Sequence, residues 1–321
     1  MSQTTPLLVP DSARIMFGKT WRDALQQKMS RLRGLCTVVT GCTGNSATVD
    51  IFGKADGADV TGQRFKKVVL TEIATAIRHI FPREYQHASG ESRWDANTIA
   101  PLVAPTGKHS SAHVSAFNRF CDALILQQLL GDASETLTGG AAPTAVALPA
   151  DQKIAKDFVS TGSAVDSGLT VDKLLEAITR FEEAEVWGQD VEEMGGKLCI
   201  ATNAKVNATL KRQIESGLGS KFMSKDYMNP VFDDRGNIKQ FLGINFVRTE
   251  LVDTGADGGD TVAYCPMWVS TAFQFNVWED MQHTIDTRAD LSNAIQFLTQ
   301  ARIGAARIEE QGVVQIAAVI G

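Results

Sequence analysis

The chain has 321 residues, 44% hydrophobic and 21% charged, a balance that excludes the disordered, collagenous and membrane-spanning classes and leaves material for a substantial core. Its formal charge of -6 is unevenly shared: residues 1–130 hold 15 Lys+Arg against 10 Asp+Glu, and residues 131–321 hold 16 against 27. A basic end and an acidic body suit a part that tolerates a polyanion, and equally suit attraction between oppositely charged parts of neighbouring copies.

The first residues, MSQTTPLLVPDSARIMF, lack a basic leader with a long apolar core, and no apolar run approaches the ~18 residues that cross a bilayer, so a cytoplasmic site of synthesis and no membrane partner are expected. Residues 17 to 35 place Phe17, Trp21, Leu25, Met29 and Leu32 on one helical stripe, with Lys28, Arg31 and Arg33 elsewhere on the helix. So narrow a stripe needs a partner surface, on its own body or on another copy. From Cys36 to Gly62 the sequence CTVVTGCTGNSATVDIFGKADGADVTG alternates β-branched bursts with Gly, Asn and Asp, the pattern of a long exposed hairpin. An isolated ribbon is marginal in water, which predicts that another chain holds it.

Residues 68 to 81, VVLTEIATAIRHIF, fit a helix and a strand equally well. The segment SSAHVSAFNRFCDALILQQLL predicts a long helix with Val114, Phe117, Cys121 and Leu124 on one face, Ser110 as its cap and Gly131 as its stop. The turn-rich GDASETLTGGAAPTAVALPADQ then reads as a linker. Thr170 caps a second helix that buries Leu174, Leu175, Ile178 and Phe181, KLCIAT is a short buried strand, and Asn203 opens a helix through Val206, Leu210 and Ile214. Strands follow in IKQFLGINFVRTELV, TVAYCPMWVS and AFQFNVW, and RIGAARIEEQGVVQIAAVIG predicts a closing hairpin about EEQG. Helices and strands mix without regular βαβ alternation, so the fold class is α+β.

Chemistry is sparse. Five scattered cysteines without a CxxC pair read as free thiols, and five histidines without ligand spacing predict no metal and no cofactor. Ala13 to Thr20, ARIMFGKT, satisfies a loose phosphate-loop pattern that would put Lys19 on a phosphate and Thr20 on magnesium. Bulky Ile15, Met16 and Phe17 stand where backbone amides must wrap the phosphates, and Pro10-Asp11-Ser12 interrupts any strand leading in. His113 and Cys121 lie two turns apart on one helix, about 12 Å by helical rise and beyond proton-transfer reach, which reads as a buried thiol beside an exposed imidazole. The paired acids Glu182/Glu183, Glu192/Glu193 and Asp233/Asp234 read as solvated faces or turns. No catalytic residue is expected.

Taken in order, these segments resemble a tailed-bacteriophage major capsid protein of the Hong Kong 97 type. The segment QQKMSRLRG resembles that family's N-terminal arm, the hairpin its extended loop, SAHVSAFNRFCDALILQQLLGDA its spine helix, and GLTVDKLLEAITRFEEAEV the second helix of its peripheral domain. KLCIATNAKVNATLKRQI with GNIKQFLGINFVRTELV is similar to its axial domain, and GAARIEEQGVVQIAAV to its terminal hairpin. The resemblance implies an arm over 1–35, an extended loop over 36–80 with residues 68–81 as strand, a peripheral domain over 81–187 and 286–321 with its spine helix at 110–131, and an axial domain over 188–285. It further implies self-assembly into hexamers and pentamers of an icosahedral virion shell around double-stranded DNA, with portal, scaffolding and decoration proteins as further partners and assembly in a bacterial cytoplasm. Trp21, Leu25, Arg31, Arg33, Ile51, Phe52 and Lys54 become the expected inter-subunit contacts. Some relatives cross-link a Lys, but no partner for Lys54 can be assigned and no cross-link is expected. Two alternatives stay open: a cellular encapsulating compartment of the same architecture, and a phosphate-loop enzyme using Lys19 and Thr20.

Overall fold

The computed structural model of the protein describes residues 26–55, 70, 72–91, 106–137, 142–218, 230–233 and 236–320. In chain order the elements are β1 (Thr37–Thr40), β2 (Ala47–Phe52), β3 (Thr75–Ile80), β4 (Arg83–Glu91), α1 (Thr106–Leu130), β5 (Ala133–Thr136), β6 (Thr144–Val146) and β7 (Lys153–Ile154). Then come α2 (Val171–Glu183), α3 (Gln189–Glu193), β8 (Leu198–Thr202), α4 (Ala204–Leu218), β9 (Val231–Phe232), β10 (Ile238–Phe241) and β11 (Ile244–Arg248). The chain closes with β12 (Thr254–Asp257), β13 (Asp260–Val269), β14 (Phe273–Arg288), β15 (Ala294–Arg307) and β16 (Val313–Val319). It divides into two units, residues 1–30, 84–120 and 279–302 forming the first and residues 31–83, 121–278 and 303–321 the second.

The second unit carries the larger core. Its principal sheet runs β7-β16-β13-β8-β11-β10-β9, with β12 beside β13. Strand β8 is buried at every position because β13 and β11 flank it, and β11 runs parallel to it after the crossover through α4. The Asn203 side chain starts α4 by accepting the Val206 N–H at 2.8 Å, and Val206, Leu210 and Ile214 are buried as their spacing requires. Between β10 and β11, Leu242 and Gly243 both have positive φ, the conformation of a two-residue hairpin turn that matches strand twist. The Thr170 hydroxyl caps α2 by accepting the Lys173 N–H at 3.3 Å.

A smaller sheet in the same unit runs β2-β3-β5-β6. There β2 and β3 pair antiparallel over six positions, from Ala47 with Ile80 to Phe52 with Thr75. In the first unit, β4 pairs with the outer part of β15, and Tyr85 of β4 packs against Phe117 and Phe120 with ring centroids 5.4 and 4.9 Å away.

Several expectations change. Residues 26–35 are not an amphipathic helix: a single 3-10 turn covers Arg33–Leu35, because the Asp122 carboxylate accepts the N–H groups of Arg31 and Leu32 that a helix would use. The hairpin does not begin at Cys36, since β1 pairs parallel with Gln274–Val277 of β14 while β2 finds its partner in β3. Residues 75–80 are strand. Helix α1 starts at Thr106, four residues before the expected cap Ser110, and ends as expected where the Gly131 N–H reaches Gln127 O at 2.9 Å.

The stretch read as a linker supplies β5 and β6, with Ala133 and Leu148 buried, because the hairpin's inner edge needs strands to satisfy its backbone groups. On α2, Leu175 is exposed and Lys173 takes the buried place beside Leu174, Ala177 and Phe181. Finally, β15 and β16 do not pair: β16 lies between β7 and β13, so EEQG is a passage between sheets and not a hairpin tip.

Candidate assembly surface

Strand β2 alternates between half-buried and exposed residues. Ala47, Val49 and Ile51 pack against Ile80, Ala306 and Ile308, whereas Thr48, Asp50 and Phe52 face outward, with Phe52 73% exposed. The sheet order leaves the outer edge of β2 without a partner strand among the described residues. Beyond the ladder, the Gly53 N–H donates to Ala74 O at 2.8 Å, and Lys54 Nζ donates to Ala184 O at 3.0 Å and Glu185 Oε2 at 2.8 Å. Both side chains of that ion pair are exposed, and the Lys54 ammonium holds the Glu185 carboxyl below its ordinary range.

The hairpin's base contains charge. Arg78 of β3, its side chain only 2% exposed, places Nη2 3.0 Å from Glu135 Oε2 on β5 and 2.7 Å from Glu310 Oε1 in the passage between β15 and β16. Arg307 lies 3.8 Å from the same Glu310 oxygen. Its Nη1 donates to Leu129 O and Gly131 O, 2.9 Å each, at the end of α1, and its Nη2 donates to Val146 O on β6 at 3.1 Å. Cations at a helix C-terminus complete its unpaired carbonyls and complement its dipole.

Of the residues expected at inter-subunit contacts, Trp21 and Leu25 lie outside the described residues, as do Lys19 and Thr20. Arg31 and Arg33 are engaged within the chain. Arg31 donates its backbone N–H to Asp122 and its guanidinium to Arg248 O, and Arg33 stands 5.5 Å from the Phe275 ring centroid. Ile51 rests partly on the chain's own core and Lys54, though exposed, is paired with Glu185 of the same chain, which leaves Phe52 as the outward member of the described set. Sequence reasoning passed over Arg78, Arg307, Glu135 and Glu310; the only signal was a lone arginine inside each of two apolar runs, TAIRHI and GAARI.

His113 and three of the five cysteines, Cys121, Cys199 and Cys265, are enclosed. His113, read as exposed, is buried in the first unit, with Nε2 2.8 Å from Ser89 Oγ, Nδ1 2.7 Å from Thr299 Oγ1 and the His87 ring at 4.4 Å. All five cysteines are free, and burial pushes the Cys199 and Cys265 thiols up to about 12, where the nucleophilic thiolate is negligible. Among the described residues no group of three or more His, Cys, Asp or Glu is placed to hold a metal ion, and no helix is long and apolar enough to cross a membrane. An open groove of about 510 Å³ between α1 and β13, lined by Leu126, Leu130, Leu251, Val252, Tyr264 and Pro266, is mostly apolar.

A family model described as phage capsid protein matches residues 9–319. No curated protein matches the chain. Among solved structures, the capsid of Ralstonia phage GP4 is similar at 12% identity and TM-score 0.67, over 96% of each chain. The acid-stable capsid of Helicobacter pylori bacteriophage KHP30 is similar at 8% identity and TM-score 0.66, over 100% of this chain and 99% of that one. The capsid of cyanophage Pam1 follows at 11% identity and TM-score 0.63, over 94% and 96%.

Proposed function

The chain belongs to the phage capsid protein family, and from that premise we propose that its β2–β3 hairpin and N-terminal residues are the surfaces by which copies grip one another. It is a structural protein, a major capsid protein that assembles with copies of itself into the virion shell, and its fold is that of the Hong Kong 97 type. The cellular-compartment and phosphate-loop readings are not favoured, since the family match spans nearly the whole chain, Ala13–Thr20 included. In the proposed arrangement the N-terminal part of the arm expected over 1–35 and, within the extended loop expected over 36–80, the β2–β3 hairpin reach neighbouring subunits, while β1 stays on the chain's own β14. The peripheral part spans 81–187 and 286–321, and the axial part 188–285. Hexamers and pentamers close an icosahedral shell around double-stranded DNA, held without tight binding by an acidic body. Portal, scaffolding or decoration proteins complete the partners, and the shell forms in the host cytoplasm.

One observation carries this reading. The sheet β2-β3-β5-β6 ends on β2, which presents an exposed Phe52 and an outer edge unpaired among the described residues, a combination that a solitary chain ordinarily shields. Replacing residues 53–74 with a tight turn, together with Phe52→Ser, tests it. The variant is expected to keep a cooperative melt, because the base contacts of Ile80, Ala306 and Ile308 are retained, while closed particles disappear from sedimentation profiles and electron micrographs. Normal particles from this variant contradict the reading.

A further inference from the structure

We infer that Arg78 is a positioning residue for assembly: with Glu135, Glu310 and Arg307 it sets the direction in which the β2–β3 hairpin leaves the body. This deepens the assembly reading of the hairpin and rests on it. The apolar contacts at the hairpin base, Ala47, Val49 and Ile51 on Ile80, Ala306 and Ile308, resist separation but are non-directional, so they permit small rotations and slides. The four charges are directional. Through them, β3 is tied to β5 by Arg78–Glu135 and to the β15–β16 passage by Arg78–Glu310, and that passage is tied by Arg307 to the end of α1 and to β6. Strands β3, β5 and β6, the end of α1 and the β15–β16 passage therefore meet at one pair of guanidinium groups.

Stability does not explain the arrangement. Arg78 Nε and Nη1 and Arg307 Nε are buried without a hydrogen-bond acceptor, and Glu310 Oε1, though 2.7 Å from Arg78 Nη2, is not aligned with it as a hydrogen bond. A buried ionic cluster so incompletely satisfied is commonly matched or exceeded in stability by apolar residues of similar volume. What an apolar replacement cannot supply is a fixed angle. A shell needs that angle, because each hairpin must meet a neighbour's surface in one register for the assembly to close.

The test replaces Arg78 and Glu135 together (R78M/E135M), which keeps the charge balance and leaves Glu310 to Arg307. Spin labels at F52C and L175C, two exposed positions, report the hairpin's direction in the full-length chain carrying C42S. The expected result is a melting temperature within a few degrees of the parent, a label distance distribution at least twofold broader, and at least a tenfold loss of closed particles from the otherwise unlabelled double variant. R78K, which restores the cation, is expected to recover part of the yield. Unchanged particle yield or an unchanged distribution in R78M/E135M overturns the inference. If that variant lacks a cooperative melt, E310Q, which preserves shape and the Arg78–Glu135 pair, is read by the same two measurements with the same criteria. Failure of the underlying reading is separate: particles then survive replacement of residues 53–74 together with Phe52→Ser, whereas if only the positioning role fails, that variant stops assembly and R78M/E135M does not.

Discussion

Lys173 shows how one residue can join several segments. Its ammonium is buried on α2 and donates to Lys156 O at 2.7 Å and to Ser167 O, Gly168 O and Ala317 O at 3.0 Å each, so it joins the loop before α2 to strand β16. Burial pushes it down from 10.5 to about 8, against the opposing pull of Asp157 and Asp166. Lys173→Met removes these hydrogen bonds, although Lys156 O and Ser167 O keep the backbone N–H groups of Ser167 and Val319, and is expected to cost roughly 1–3 kcal/mol in denaturant unfolding. The pH dependence has a definite sign. Between pH 8 and 10.5 the unfolded chain holds this proton more often than the folded one, so the lysine's contribution makes stability rise with pH through that window and stay flat below it. The wild-type minus Lys173→Met difference, measured at intervals from pH 7 to pH 10, should show that rise; a fall over the same window contradicts the assignment.

At the scale of elements, caps and edges decide more than composition does. Thr170 provides the side-chain cap at the start of α2, where Gln213 Oε1 also accepts the Val171 N–H at 3.3 Å, and Thr170→Ala is expected to lower stability by about 1 kcal/mol, read as a lower thermal midpoint without a change in particle shape. The hairpin illustrates the other rule. Its alternation places Ile51 inward and Phe52 outward, so the two neighbouring residues expected to act alike belong to different surfaces. Residues 37–40, exposed along their length, are strand only because β14 offers an edge to pair with.

For the whole molecule, the division of charge between a basic first 130 residues and an acidic remainder predicts how assembly responds to salt. Long-range attraction between copies is screened within about 8–10 Å at moderate ionic strength, whereas the proposed apolar contact through an exposed side chain such as Phe52 would not be. Raising sodium chloride from about 0.05 to 0.5 M, a span over which the screening length falls severalfold, is therefore expected to slow the rise of light scattering while leaving the final particle yield nearly unchanged. A yield that collapses with salt at constant rate would place the association energy in ion pairs instead.

Much of this protein was legible in its sequence. Periodicity marked α1 and α2, the Asn203 cap marked α4, an unbroken apolar run marked β8, and the order of segments carried the family resemblance, because all of these depend on neighbours within a few residues. The partners of exposed strands were not legible. Whether Thr37–Thr40 joins β2 or β14, and whether Val313–Val319 folds back on β15 or enters the sheet beside β13, depends on hydrogen-bond edges supplied by residues far away in the chain. The same holds for charge. An arginine inside TAIRHI looks like the polar side of a strand, and only the approach of Glu135 and of Glu310, 232 positions beyond Arg78, makes it a buried junction.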